Sequence, residues 1–200
     1  MKLFALTAFA VATVVASTAS AQTPRPQNPG PVIPGVCVFN AQRAVTMSTA
    51  GQAVSARMRE LTQEVVGEVA PYAEAVQSGM TAYRQAAPTM TPEQRAQQEQ
   101  VLQQRYEEAQ VLEQTRQNEL RYTLNQQLEA IGGAADPIMV AVYQERGCGI
   151  LLSADSVIEM NSAMDITETV VQRLNAALPG NRTFNRLPVP PELLQQQQAQ

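Results

Sequence analysis

Two long amphipathic runs, parted by four residues, leave this chain few folds to choose from. The second run begins at Pro92 and holds no further proline, and no glycine, until Gly132-Gly133. Along it Leu102, Tyr106, Ala109, Leu112, Leu120, Leu124, Leu128 and Ile131 mark a narrow apolar face. The first run extends from about Ala41 to Ala86. In it Val54, Met58, Leu61, Val65 and Val69 recur at three- and four-residue steps, followed by Val76, Met80 and Tyr83. That spacing lines one side of a helix. Ala87-Pro88-Thr89-Met90 breaks the pattern. Thr91 can then cap the next helix, Pro92 suits its first position, and Gln94 completes a capping box. Two long helices joined by a short turn run antiparallel. Arms of some 40 residues, rising about 1.5 Å each, reach roughly 60 Å. A narrow stripe suffices for a two-helix seam but not for a thick core, so the arm should be the more flexible part. Gly67 and Pro71 interrupt the first run and predict a kink or short break there.

The flanks read differently. Val36-Cys37-Val38-Phe39 is a short, continuously apolar strand ended by Asn40, as expected of a strand buried on both faces. After the arm, Gly132-Gly133 should loosen the chain, and Asp136-Pro137 should restart a short helix with Asp136 as its cap. Gly147-Cys148-Gly149 ends it, Ile150-Leu151-Leu152 reads as a second buried strand, and Val157 to Met160 as a third. Asp165 and Glu168 frame a capping box that opens a C-terminal helix with Ile166, Val170, Val171 and Leu174 inward. Short lone strands are not stable, so those before and after the hairpin must pair. The expected fold is α+β. A small body of strands (35–44 and 132–178) carries the arm (about 45–131) and the C-terminal helix. Three short strands leave exposed edges, which association of several copies would cover.

The ends point to a compartment. Lys2, the apolar run Leu3 to Val15 and the small residues Ala19-Ser20-Ala21 make residues 1–21 a secretory signal peptide, cut before Gln22. The expected location is the periplasm. Residues 22–34 and 179–200, rich in proline, glycine and glutamine, read as a disordered leader and a disordered tail. Lys2 is the only lysine, and the chain is mildly acidic, with a formal charge of -4. Such a surface has no general attraction for nucleic acid or anionic lipid. Histidine is absent, which excludes histidine-based triads and, with only two cysteines, the usual zinc sites. There is no phosphate-cradling glycine loop, and the carboxylates fall on solvated helical spacing. The chain reads as a non-enzyme with no cofactor. Cys37 and Cys148 admit two readings: one disulfide in an oxidising compartment, or two separate buried thiols.

The order of these parts resembles the OmpH family of periplasmic chaperones, also called Skp. Three stretches carry the resemblance: Val36-Cys37-Val38-Phe39-Asn40; Val140 to Gly147 followed by Ile150-Leu151-Leu152 and Ala154-Asp155-Ser156-Val157; and Asp165-Ile166-Thr167 followed by Val170. It spans about Val36 to Leu174. The resemblance implies a homotrimer whose strands share one β body, with three hairpins around a cavity that holds unfolded outer-membrane proteins without ATP. The arms depart from the basic, lysine-rich arms of familiar members, so strong attraction to lipopolysaccharide or acidic membranes is not expected. The cysteine pair is a second departure. A bridge closing so long a loop would contribute about 4–5 kcal/mol at most.

Within that frame the methionines Met58, Met80 and Met90 and the tyrosines Tyr72, Tyr83, Tyr106 and Tyr122 are the client-contact candidates, Met80, Tyr83 and Met90 foremost, because methionine adapts its shape to varied partners. Met58 is expected in the seam between the helices, and Met90, at the tip, is expected to be exposed. Arg57, Arg59, Arg105, Arg116 and Arg121 read as a solvated face with helical ion pairs. A rigid spacer in an envelope complex is the alternative function. Interruptions at Gly67, Pro71 and Gly132-Gly133 favour a flexible holder over a strut.

Overall fold

The computed structural model describes residues 30–178, 180 and 183–198. The expected signal peptide, most of the expected leader and Pro179 lie outside the described residues. Strand β1 (Val36–Phe39) leads through Asn40 into helix α1 (Ala41–Met47), then α2 (Thr49–Ala86). A short 3-10 turn at Ala87–Thr89 reverses the chain into α3 (Pro92–Glu145). Strand β2 (Ile150–Ser153), helix α4 (Thr167–Ala177) and helix α5 (Pro191–Gln198) follow. The molecule is mostly helical, with a long helical arm and a two-stranded sheet.

The hairpin turns where its chemistry requires. Thr91 Oγ1 accepts from Gln94 N at 3.3 Å, and Gln94 Oε1 accepts from Thr91 N at 2.9 Å, closing the capping box. At the other end of α2 lies a corner that periodicity does not reveal. Ser48 is buried and separates α1 from α2; its hydroxyl donates to Val45 O at 2.8 Å and accepts from Gly51 N at 3.0 Å. A Cβ on Gly51 would fall 1.8 Å from Val45 O, so only glycine fits this corner.

Two expectations about the helices are corrected, and at Pro71 the short break is absent. Pro71 lies inside α2, and Gly132-Gly133, Asp136 and Pro137 all lie inside α3, with no restart and no cap at Asp136. Pro71 and Pro137 each follow a glycine by four residues, Gly67 and Gly133. A helical proline deprives the carbonyl four residues back of its donor and crowds that turn. Here each such carbonyl belongs to an exposed glycine, which water can satisfy and which has no side chain in the way.

β1 and β2 pair in parallel, Val36 opposite Ile150 through Phe39 opposite Ser153. The partner of β1's other edge is not a strand at Val157–Met160. That stretch is not helical or extended in a sheet; Ile158 is 95% exposed. Apolar β-branched residues alone do not make a strand without a neighbour to pair with. Instead Val38 makes a parallel bridge to Asp165, and Ile166 N donates to Val38 O at 3.0 Å. The two strands also differ in burial. Cys37 and Val38 are buried, whereas Ile150 is 54% exposed and Leu152 38%, so β2 is not a buried strand in the single chain.

Two apolar clusters form the base. Cys37, Val142, Cys148, Ile166 and Val170 make one, flanked by Phe39, Tyr143 and Leu151. Ala50, Val54, Ile131 and Leu174 make the other, flanked by Met58, Leu124, Leu178 and Phe184. Cys37 and Cys148 are joined as a disulfide, their Cα atoms 5.8 Å apart.

The helix α4 starts at Thr167 rather than Ile166. Asp165 Oδ1 accepts from Thr167 N at 2.8 Å, while its other oxygen pairs with Arg43. Burial disfavours the charge on Asp165, but the hydrogen bonds from Thr167 and Arg43 outweigh it and hold the carboxyl below its ordinary range. The reciprocal half of the capping box is missing. Asp165 N donates to Ser162 O instead, at 3.1 Å, and Glu168 is left exposed in the first turn. An acidic residue there still favours the helix through its dipole.

The tail is the largest correction. Residues 183–190 have no regular secondary structure and contact the hairpin, and Pro191–Gln198 form α5. Phe184 O accepts from Arg57 Nε at 3.0 Å, and Leu187 N donates to the buried Thr123 Oγ1 at 2.8 Å. Composition suggests disorder here because the segment is polar and proline-rich. Its order comes from partners more than 60 residues away, which no local pattern exposes.

Candidate functional site

Burial changes sharply along the arm. Leu61 and Val65 on α2, and Thr123 and Ile131 on α3, are buried. From 66 to 122 no residue is. The two helices still touch over that length, but α3 is mostly glutamine, glutamate and arginine there and α2 is rich in small alanines, so no core forms between them.

Apolar side chains in this distal half line open grooves rather than a core. Val76, Met80 and Tyr83 of α2 face Leu102 and Tyr106 of α3 around a groove of about 490 Å³, with Arg84, Glu99 and Gln103 at its rim. Met80 and Tyr106 remain 45% and 47% exposed. The Tyr83 hydroxyl donates to Glu99, and this bond to the carboxylate raises the phenol's pKa. A second groove nearer the base is lined by Tyr72, Val111, Leu112 and Thr115. Its apolar walls are exposed as well, Val111 to 64%.

Met90 is not free at the tip. It is half-buried in a cleft with Ala82, Ala86, Val101 and Leu102, because the 3-10 turn folds it back over the end of the hairpin. The structure therefore places Met80 and Tyr83 in one groove and Met90 in an adjoining cleft that shares Tyr83 and Leu102. Met58 packs against the second base cluster, as its place in the helical stripe predicts. Tyr72, already a candidate, and Leu112 of the apolar stripe share a groove with Val111, the member that the sequence reading misses.

Arg57 pairs within its own helix, contacting Glu60 at 2.8 Å and Glu64 at 3.0 Å. Most other pairs join different elements: Arg43 meets Asp165, Arg173 meets Glu145 of α3, and Arg116 of α3 crosses to α2 as well as pairing within its own helix. The Arg116 guanidinium lies 3.0 Å from Glu119 and 2.8 Å from Glu68. Desolvation opposes its charge, but Glu119 and Glu68 outweigh that and raise its pKa. Arg186 meets the same two carboxylates, each at 2.9 Å. The hydrogen bond from Arg186 is the main reason the Glu68 carboxyl is held below its ordinary range.

Among the described residues no group of histidine, cysteine, aspartate or glutamate could hold a metal ion, and no helix is long and apolar enough to cross a membrane. The grooves offer contact surface and no set of converging catalytic groups.

Comparison with known proteins agrees with this architecture. The family model described as outer membrane protein (OmpH-like) matches residues 35–174. A crystal structure of an OmpH-like protein from Caulobacter crescentus CB15, described as a candidate outer membrane chaperone, superposes with a TM-score of 0.69 at 33% identity. The match covers 80% of this chain and 94% of that one. No curated protein shows significant sequence similarity. With most of the body and the whole hairpin inside the matched span, the chain belongs to the OmpH-like family, and its role is chaperone-like.

Proposed function

We propose that this protein is an ATP-independent periplasmic holdase that binds unfolded outer-membrane proteins and prevents their aggregation, working as a homotrimer. The observation that carries the reading is the distal arm: apolar residues gathered in open grooves, with no residue buried from 66 to 122. An unfolded β-barrel protein exposes alternating apolar strands that aggregate edge to edge. Shallow apolar grooves on several arms hold such a chain by many weak contacts, which add through effective concentration. Exposed Ile150 and Leu152 on β2 support assembly of several copies about the small sheet, since a two-stranded sheet with bare apolar residues gains by association.

The test is light scattering of a urea-unfolded outer-membrane β-barrel protein diluted into buffer with and without the protein, without ATP. Suppression near three chains per client supports the trimeric holdase. No suppression at large excess, repeated with an unrelated β-barrel, sinks it. One observation favours a second reading, a rigid spacer in an envelope complex: α2 and α3 run unbroken through Pro71 and Pro137. Small-angle scattering across ionic strength separates the two, because a spacer keeps its dimensions and a holder does not.

A further inference from the structure

Residues 183–190 lie beyond the span that the family model matches. They contact both hairpin helices at one level. Arg186 bonds Glu68 of α2 and Glu119 of α3, and Leu187 N donates to Thr123 of α3. Below these contacts, Phe184 packs into the second base cluster, and its carbonyl is held by Arg57 of α2. Two guanidiniums, Arg116 and Arg186, thus alternate with two carboxylates, Glu68 and Glu119, in a neutral ring. Removing Arg186 leaves that ring one negative charge in excess. Arg186 and Glu119 are shielded, at 18% and 12% side-chain exposure, so salt screens them less than a surface pair. Glu119 and Thr123 lie on one face of α3, one turn apart.

Three features coincide at this level of the hairpin. Val65 is the last buried residue of α2, Glu68 takes the arginine of the tail, and the carbonyl of Gly67 lacks a helical donor because of Pro71. We propose that residues 183–190 are a built-in latch that clasps α2 to α3 at Glu68 and Glu119, keeps the proximal hairpin closed, and sets the point from which the distal arm swings. Opening the latch would move that point toward the body and lengthen the mobile arm.

Amide hydrogen exchange on the full chain tests this. In the unaltered protein the Leu187 amide should be protected, because its acceptor Thr123 is buried. Arg186→Gln should speed exchange in residues 58–68 and 115–125 by about tenfold, with the body amides near Val38 and Val170 unchanged. A chain ending at residue 182 should show a larger effect in the same two stretches. Thr123→Val keeps the side-chain volume and removes the hydroxyl, which accepts from Leu187 N and donates to the Glu119 carbonyl one turn back, so it should deprotect Leu187 without unfolding the hairpin. The latch is overturned if Leu187 exchanges at the rate of an unstructured peptide in the unaltered chain. It is equally overturned if the Arg186→Gln and shortened chains keep full protection of the proximal helices.

Discussion

The two halves of the arm are built from the same helices and nearly the same composition, yet they are held differently. The proximal half buries Val54, Leu61, Val65, Thr123 and Ile131, with Val54 and Ile131 clustered on Leu174 of α4, and the tail crosses it. The distal half, from 66 to 122, buries nothing and, beyond the tail's Arg186 at Glu68 and Glu119, has only the partner helix to lean on. Helix propensity and ion pairs of a few tenths of a kcal/mol keep the distal helices helical. They do not fix how the helices lie against each other. Helical periodicity therefore specifies that an arm exists, whereas its stiffness is decided by what else reaches it.

The contrast can be broken from the base outward. Replacing both Cys37 and Cys148 by serine should have the largest effect, up to about 4 kcal/mol lost if the bond constrains the unfolded chain. Urea unfolding of the double variant checks it; an unchanged midpoint would show that the base does not depend on the bridge. Next, Leu174→Ala in the base cluster should cost about 3 kcal/mol, because the site is fully buried. Leu112→Ala in the distal arm should cost less than about 1 kcal/mol. Equal losses by thermal melting would mean that the two halves are not mechanically distinct.

Pro71→Ala should act in the opposite sense. It restores the donor that the Gly67 carbonyl lacks, and should stabilise the arm by roughly 1 kcal/mol while reducing its bending. Distances between labels at the tip and base, measured by electron spin resonance, should narrow in distribution. A smaller effect is expected with pH. Asp165 and Glu68 have depressed carboxyl pKa values, the first despite its burial and the second chiefly through Arg186. Their contribution is present above the ordinary carboxylate range of about 4 and is lost as pH falls through their lower folded values. Denaturation midpoints should be flat near neutrality and fall only below about pH 4. Last, Met80→Ser with Tyr106→Ser should leave the midpoint unmoved and reduce suppression of client aggregation. Full suppression would place client contact elsewhere.

Much of the fold was legible because its signals are local. Thr91, Pro92 and Gln94 announce the turn within four residues, and β1, β2 and α4 each lie in their own pattern. The misreadings share a cause. Gly67 and Pro71 look like a break until the two are seen as a pair spaced by one carbonyl. Val157–Met160 looks like a strand, but the edge it would need is taken by Asp165 and Ile166. The order of residues 183–190 depends on Thr123, Glu68 and Glu119, whose sequence distance hides them. In the candidate site, Met80 and Tyr83 were readable as apolar residues on a thin seam. Tyr72 was readable in the same way, but its groove partner Val111 was not, because Val111 departs from the stripe.

The parallel register of β1 and β2 has a consequence for the order of events when the chain is made. Val36 meets Ile150 only after the intervening residues exist, and parallel pairing gives β1 no nearby strand to use meanwhile. The helices between them form within microseconds from local contacts, while joining ends so far apart is slow. A newly emerging chain is therefore expected to form its hairpin helices before its base closes. Through that interval Cys37 stands as an unmated thiol, and the first strand as an open edge. The protein proposed to shelter unpaired strands passes through a stage in which its own first strand waits unpaired.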